Sequence, residues 1–186
     1  MPSPRLVSLN MPSRAGPPVG GAAGSPVHLQ PIDEVVIGPR GLHGDEGFLS
    51  RALYVYAFEH YAFWQTVRAQ ARVAEWGQVL PFGGMGEHLT MSGLLEAQVW
   101  VGDVLQFSGC ALAVSEPGLP SVELNAAMGF EQASRLMAQS GWGGFYLAVR
   151  EPGVLRSGES CELLPGPREV NIRDLFRARM GANHLT

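Results

Sequence analysis

Three side chains in this sequence could exchange protons near neutral pH: Glu46, Glu116 and His88. Glu46 stands in Gly44-Asp45-Glu46-Gly47 and Glu116 in Ser115-Glu116-Pro117-Gly118, while His88 closes the glycine-rich run that begins at Phe82. A carboxylate enclosed by apolar groups has its pKa raised and can then move a proton near neutrality. The alternative is the ordinary fate of Glu, an exposed loop position, and both readings stay open for the pair. The His88 imidazole could serve as acid, base or hydrogen-bond donor, or simply hold the backbone of its own turn. Ser121 could be a nucleophile activated by His88, but no G-x-S-x-G elbow surrounds it and no third member of a triad is evident. It reads as a passive hydroxyl of the site.

Other constellations point away from chemistry. His43, Asp45, Glu59 and His60 fit no standard metal spacing, and Asp45 reads as a turn residue that bonds backbone amides. No metal ligand is assigned. Gly83-Gly84-Met85-Gly86 is not a phosphate loop, because no Lys-Ser/Thr follows it. Cys110 and Cys161 are too few for a disulfide framework or zinc site and read as free thiols. All 13 basic residues are Arg, so a lysine base or Schiff base is excluded. Phe48, Trp142, Phe145 and Tyr146 could line an apolar pocket mouth, whereas Tyr54, Tyr56, Tyr61 and Trp64 read as core.

With 186 residues, one main domain with a short appendage is expected, large enough to bury a substantial core. A formal net charge of −4 gives no basic face for nucleic acid or an anionic membrane. No signal peptide or membrane-length apolar run is visible, so the expectation is a soluble, cytoplasmic protein acting on a small molecule. A homodimer is left open.

The elements that would position these residues are mostly short strands. Arg5–Met11, Val27–Ile37 with a break at Pro31, Ala52–Phe58, Leu89–Leu95, Val99–Phe107, Ala111–Val114, Phe145–Val149 and Ser160–Leu164 have strand composition between Gly or Pro turns. Helical spacing covers residues 59–76, 123–139 and a final stretch from about Asn171. Such a pattern predicts a mainly β, barrel-like fold with helices.

The order of landmarks across roughly residues 5–186 resembles the MOSC domain family, its YiiM-like branch in particular. Gly41-Leu42-His43-Gly44-Asp45 is similar to the family's G-L-x-G-D. Arg51 to Tyr56, followed by Glu59-His60-Tyr61 and Trp64, resembles K-A-V-x-x-Y with E-H-Y-x-x-W. Phe82 to Leu89 resembles F-G-x-x-G-E-N-L, with Gly93-Leu94 and Val101-Gly102-Asp103 in register behind it. Gly141-Trp142 to Gly153 resembles a late G-x-x-G-x-Y-x-R-V-x-x-G stretch. The resemblance implies a β-barrel of the MOSC, pyruvate-kinase β-barrel-like type. It implies a MOSC-like domain over 1–166, with 12–25 a flexible loop, and a truncated C-terminal helical appendage over 167–186. It also implies sulfur transfer, or molybdenum-cofactor chemistry on N-hydroxylated compounds.

The departures bear on that activity. Val114-Ser115-Glu116-Pro117-Gly118-Leu119-Pro120-Ser121 resembles the family's active loop V-S-Q-P-R-x-P-C, with Ser121 at the Cys position and Gly118 at the Arg position. Glu46 takes a His position in a shortened loop, Leu29 a Lys position and Ala148 the Arg position of Y-x-R-V. His88 replaces the Asn after Glu87. An anionic pterin phosphate needs cations or converging N–H groups, and a serine hydroxyl is not a soft metal ligand. The expectation is therefore a diverged MOSC-fold enzyme without a cofactor. Glu46, Glu116 and His88 would supply acid–base chemistry such as isomerisation, cyclisation, elimination or hydrolysis. Phe48, Arg51, Ser121, Trp142 and Tyr146 would bind a small apolar substrate, such as one of specialised biosynthesis. The alternatives are a molybdenum-cofactor or sulfur-transfer protein, and a non-catalytic ligand-binding module.

Overall fold

A computed structural model describes residues 3–12 and 29–183. The expected flexible loop at 12–25 lies outside these residues apart from Pro12.

The strands are β1 (Arg5–Pro12), β2 (Leu29–Ile32), β3 (Glu34–Gly38), β4 (Gly41–Leu42), β5 (Asp45–Glu46), β6 (Leu53–Ala57), β7 (Leu89–Ser92), β8 (Val104–Gln106), β9 (Ala111–Pro117), β10 (Phe145–Glu151), β11 (Gly153–Arg156) and β12 (Glu162–Leu164). The helices are α1 (Tyr61–Gln70), α2 (Val122–Met128), α3 (Ala133–Ser140) and α4 (Ile172–Asn183), with a 3₁₀ turn at Phe58–His60 leading into α1. Eight strands form one sheet in the order β12-β8-β9-β10-β6-β7-β1-β2, and β11-β3-β4-β5 form a second. The pairing of β6 with β7 is parallel. The start of β1 also bonds the segment that leads into β12, through Leu6 N–H to Glu159 O at 2.8 Å and Cys161 N–H to Pro4 O at 2.9 Å. That link brings β1 to the strand at the far edge of its own sheet, so the sheet curls on itself in a barrel-like form.

Alternation along the strands sorts side chains onto two faces. Leu53 and Val55 of β6, Phe145 and Leu147 of β10, and Leu112 and Val114 of β9 fill the inner core together with Leu6, Leu9, Leu89 and Met91. Tyr54 and Tyr56 point the other way. Tyr56 joins Tyr61, Trp64, Met85, Leu124, Met128 and Met137 in a separate outer cluster, with Tyr54 packed against it. The helices α1, α2 and α3 therefore cover the outer face of the sheet and make a second core there.

Several boundaries differ from the expectation. Pro31 lies within β2, opposite Asn10, rather than breaking it. β2 is an edge strand, where a missing N–H costs no ladder bond. The expected helix over 123–139 is two helices, because Gly129 takes a left-handed φ of 84° and ends α2. The helix expected to reach Trp76 stops at Gln70, ahead of Arg72 with φ 60°. β9 continues through Glu116 and Pro117, so half of the expected active loop is strand. β11, not among the strands expected, pairs with β3.

Candidate functional site

The strand register brings the outward side chains of three neighbouring strands into a row. Tyr146 of β10 lies opposite Tyr54 of β6 on one side and Glu116 of β9 on the other. The Tyr54 and Tyr146 rings pack with centroids 5.1 Å apart. Between this row and the helices lies a cavity of about 320 Å³. Its walls are Tyr54 and Tyr146 from the sheet, Gly84, Met85 and Gly86 from the glycine-rich loop, Gly118, Leu119 and Ser121 from the segment after β9, Leu124 and Ala127 from α2, and Met137 from α3. Glu123 sits at its rim and is the one formally charged lining residue. The cavity is thus outside the sheet, not in the barrel interior, which is filled by apolar side chains.

Buried carboxylates hold the walls. Glu87 is fully buried, and its oxygens accept from Gly83 N–H at 3.0 Å, Met85 N–H at 3.1 Å, Thr90 Oγ1 at 2.6 Å and the Tyr61 hydroxyl. Four donors satisfy the carboxylate and tie the glycine-rich loop into one shape. Glu96 accepts from Gly144 N–H at 2.9 Å and meets His60 Nε2 at 2.9 Å. The Tyr54 hydroxyl donates to Gly143 O at 2.7 Å and the Tyr56 hydroxyl to Trp142 O at 3.0 Å, so the 142–144 segment is held from several sides. Sequence reasoning missed Glu87 and Glu96. For Glu87 a signal existed: an acid directly after a run of glycines stands beside several exposed amide N–H groups.

The three expected proton-transfer residues are not in the cavity wall. Glu116 is not a carboxylate in an apolar setting. Its Oε2 receives Arg51 Nη2 at 2.8 Å and Arg179 Nη1 of α4 at 3.0 Å. These hydrogen bonds hold its carboxyl down at about 2, so it stays ionised at all ordinary pH values. Glu46 lies on the exposed β4–β5 hairpin, where Oε1 accepts from Gly44 N–H at 3.2 Å. That backbone bond pulls its pKa below the usual range, the reverse of the expected direction. Both ring nitrogens of His88 are engaged. Nδ1 accepts from Tyr54 N–H at 2.9 Å and Nε2 meets Asp45 Oδ2 at 3.0 Å. Since Nδ1 accepts, the proton sits on Nε2 and donates to Asp45. His88 thus joins β6 to the β4–β5 hairpin.

Of the expected substrate-binding residues, Ser121 and Tyr146 line the cavity. Phe48 is 78% exposed on the loop before β6. Trp142 stacks on His60 at 4.4 Å and 9° and packs edge-on against Phe63, away from the cavity lining. Arg51 does not reach the lining, but its guanidinium carbon sits 5.3 Å from the centre of the Tyr146 ring. The metal set considered from sequence is dispersed: Glu59 accepts from Gly93 N–H, His60 pairs with Glu96 and Asp45 with His88.

The MOSC domain pattern matches residues 25–162. The chain belongs to the MOSC domain family. It is 33% identical to the uncharacterized protein YflK of Bacillus subtilis over 130 residues, 69% of this chain and 55% of that one. It is 28% identical to the protein YiiM of Escherichia coli over 153 residues, 78% of this chain and 66% of that one. The MOSC chain therefore spans only part of the length of these relatives. Among solved structures it resembles YiiM from Geobacillus stearothermophilus, with a TM-score of 0.74 and 22% identity over 96% of this chain and 85% of that one. YiiM from Escherichia coli gives a TM-score of 0.72 and 23% identity over 94% and 76%. These likenesses establish the fold, a sheet-dominated YiiM-like MOSC domain. Among the described residues no helix is long and apolar enough to cross a membrane.

The residues lining this MOSC cavity do not fit a molybdenum cofactor. They include no cysteine and no cation, and the guanidinium beside Tyr146, Arg51, is committed to Glu116. Gly118, at the family's Arg position, has no room for any side chain: a β-carbon there would meet Gly143 O at 2.1 Å and the Tyr54 ring at 2.8 Å. The two thiols are buried in the inner core, and burial pushes Cys110 up to about 11 and Cys161 up to about 12.

Proposed function

We propose that this MOSC domain binds a small, largely apolar organic molecule in the cavity between its sheet and α2–α3, with no molybdenum centre. The observation that carries the reading is the wall chemistry. Met85, Leu119, Leu124, Ala127 and Met137 supply apolar surface, the two tyrosines supply aromatic faces, and the sole formal charge is the negative Glu123 at the rim. Such a lining favours neutral or cationic ligands over the anionic pterin phosphate, because nothing in it offsets the desolvation of a buried anion. A volume of about 320 Å³ is at the small end for organic ligands.

A second reading is an enzyme of cofactor-free acid–base chemistry. It is favoured by one placement: the Ser121 hydroxyl and the Glu123 carboxylate lie two residues apart at the cavity mouth. Glu123 and Ser121 would then take the proton-transfer roles expected of Glu46, Glu116 and His88.

The test is a fluorescence titration with 2-ethylnaphthalene, a neutral apolar probe, alongside metal analysis of protein made in a molybdenum-replete host. Saturable binding that is lost in Met137→Trp and weakened in Ala127→Leu, with no molybdenum retained, is the expected result. Unsaturable binding, binding indifferent to both substitutions, or stoichiometric molybdenum would overturn the proposal.

A further inference from the structure

The chain has four tyrosines, and their hydroxyls are not used alike. Those of Tyr54, Tyr56 and Tyr61 donate to Gly143 O, Trp142 O and Glu87 Oε1 respectively. The Tyr146 hydroxyl makes no hydrogen bond among the described residues, although Tyr146 is half-buried and lines the cavity. A phenol at a cavity wall, accessible and with its donor unspent on the protein, can meet an acceptor on whatever enters.

Two side chains hold the ring carrying that hydroxyl. Tyr54 packs on it with centroids 5.1 Å apart, and Arg51 lies over it at 5.3 Å. Arg51 in turn is fixed by Nε at 3.2 Å and Nη2 at 2.8 Å to Glu116 Oε2. The strand register sets the whole row, because Tyr146 lies directly opposite both Tyr54 and Glu116. Glu116 and Arg51 thus act through Tyr146 rather than on a ligand.

We infer that the Tyr146 hydroxyl is the group that selects ligands, donating to a carbonyl or similar neutral acceptor, and that Arg51, anchored by Glu116, positions its ring. The inference rests on the proposed binding reading and adds the chemical class: an apolar molecule bearing a hydrogen-bond acceptor at its edge. The guanidinium over the ring face withdraws electron density, which strengthens the phenol as a donor.

Two probes that differ by one carbonyl oxygen separate the possibilities: 2-acetylnaphthalene, which carries the carbonyl, and 2-ethylnaphthalene, which lacks it. The wild-type protein is expected to bind the ketone about fivefold more tightly, as one hydrogen bond implies. Its carbonyl stretch in the infrared should move to lower frequency on binding. Tyr146→Phe should equalise the two probes and abolish the shift. Equal binding of both probes by the wild type would overturn the role of Tyr146 and leave the binding proposal standing. Failure of both probes to bind would overturn both.

The positioning role has its own readout. Burial pushes Tyr146 up from the usual phenol range while Arg51 pulls it down, and burial holds the other three tyrosines much further up. The first phenolate to appear in an alkaline absorbance titration therefore reports Tyr146. Arg51→Gln should delay that step and reduce the preference for the ketone, with Glu116 still held by Arg179. An unchanged titration and an unchanged preference would overturn the positioning role.

Discussion

The backbones of Gly118 and Gly143 lie back to back: a β-carbon on Gly118 would sit 2.1 Å from Gly143 O, and one on Gly143 would sit 2.2 Å from Gly118 O. The Gly118 N–H also bonds Gly144 O at 3.0 Å. This contact seals the segment after β9 against the start of β10, at the floor of the cavity. It also explains why the arginine of the family loop has no place here, since its first side-chain carbon would already clash with backbone.

Gly118→Ala and Gly143→Ala are each expected to destabilise the fold by about 2 kcal/mol or more, because backbone atoms cannot move aside as a flexible side chain can. Ser121→Cys, at an exposed position, should change stability by less than about 0.5 kcal/mol. Urea unfolding of the three variants checks the contrast. Comparable stability of Gly118→Ala and Ser121→Cys would contradict the packing described.

The Glu116 pairs give a signed pH dependence. Its folded-state pKa lies near 2, below the ordinary carboxylate value of 4.5. The contribution is therefore present above about 4.5 and is lost as pH falls through about 2. Glu116→Gln should flatten that part of the acid limb of the stability curve and loosen α4, which Arg179 ties to β9. Hydrogen exchange in residues 172–182 measures the second effect. Identical acid limbs for wild type and variant would show that the two arginines contribute nothing.

Glu87→Gln should cost about 2–3 kcal/mol, because an NH₂ group would face donors where a carboxylate oxygen now accepts. The glycine-rich loop should lose its shape along with that bond set. Thermal unfolding gives the cost, and weaker 2-ethylnaphthalene binding gives the loop effect. A melting temperature within a degree of wild type would be inconsistent with four donors on one buried carboxylate.

His88→Ala should destabilise by about 1–3 kcal/mol, since Tyr54 N–H loses its acceptor and Asp45 its donor. No loss of a proton-transfer step is expected. If a reaction is found, its pH–rate profile should keep the same inflections in His88→Gln, measured by initial rates across pH 5–9. A lost inflection would return His88 to the chemistry.

Much of the scaffold was legible because its signals are local. The strand compositions, the glycine punctuation and the helix from Asn171 all follow from neighbouring residues, and β1, β6, β10 and α4 lie where those signals put them. The split of 123–139 at Gly129 was missed because apolar spacing continues on both sides of the glycine. Half of the active loop proved to be strand because β10 pairs with it as far as Pro117, a contact the local sequence does not announce.

The site divides the same way. Tyr146 and Ser121 were identified from residue type and family pattern, and both line the cavity. Glu116 was identified too, but its character was not. Arg51 stands 65 residues before it and Arg179 stands 63 residues after it.

By itself the sequence determined the family, the absence of lysine and the loss of the loop cysteine. Only the tertiary structure decided which face has a cavity and which groups surround each carboxylate. Electrostatic environment depends on distance in space and on burial. Two arginines remote in sequence turned Glu116 from a candidate acid into a permanent anion, and Glu87, ringed by amide and hydroxyl donors, became the anchor of the cavity wall.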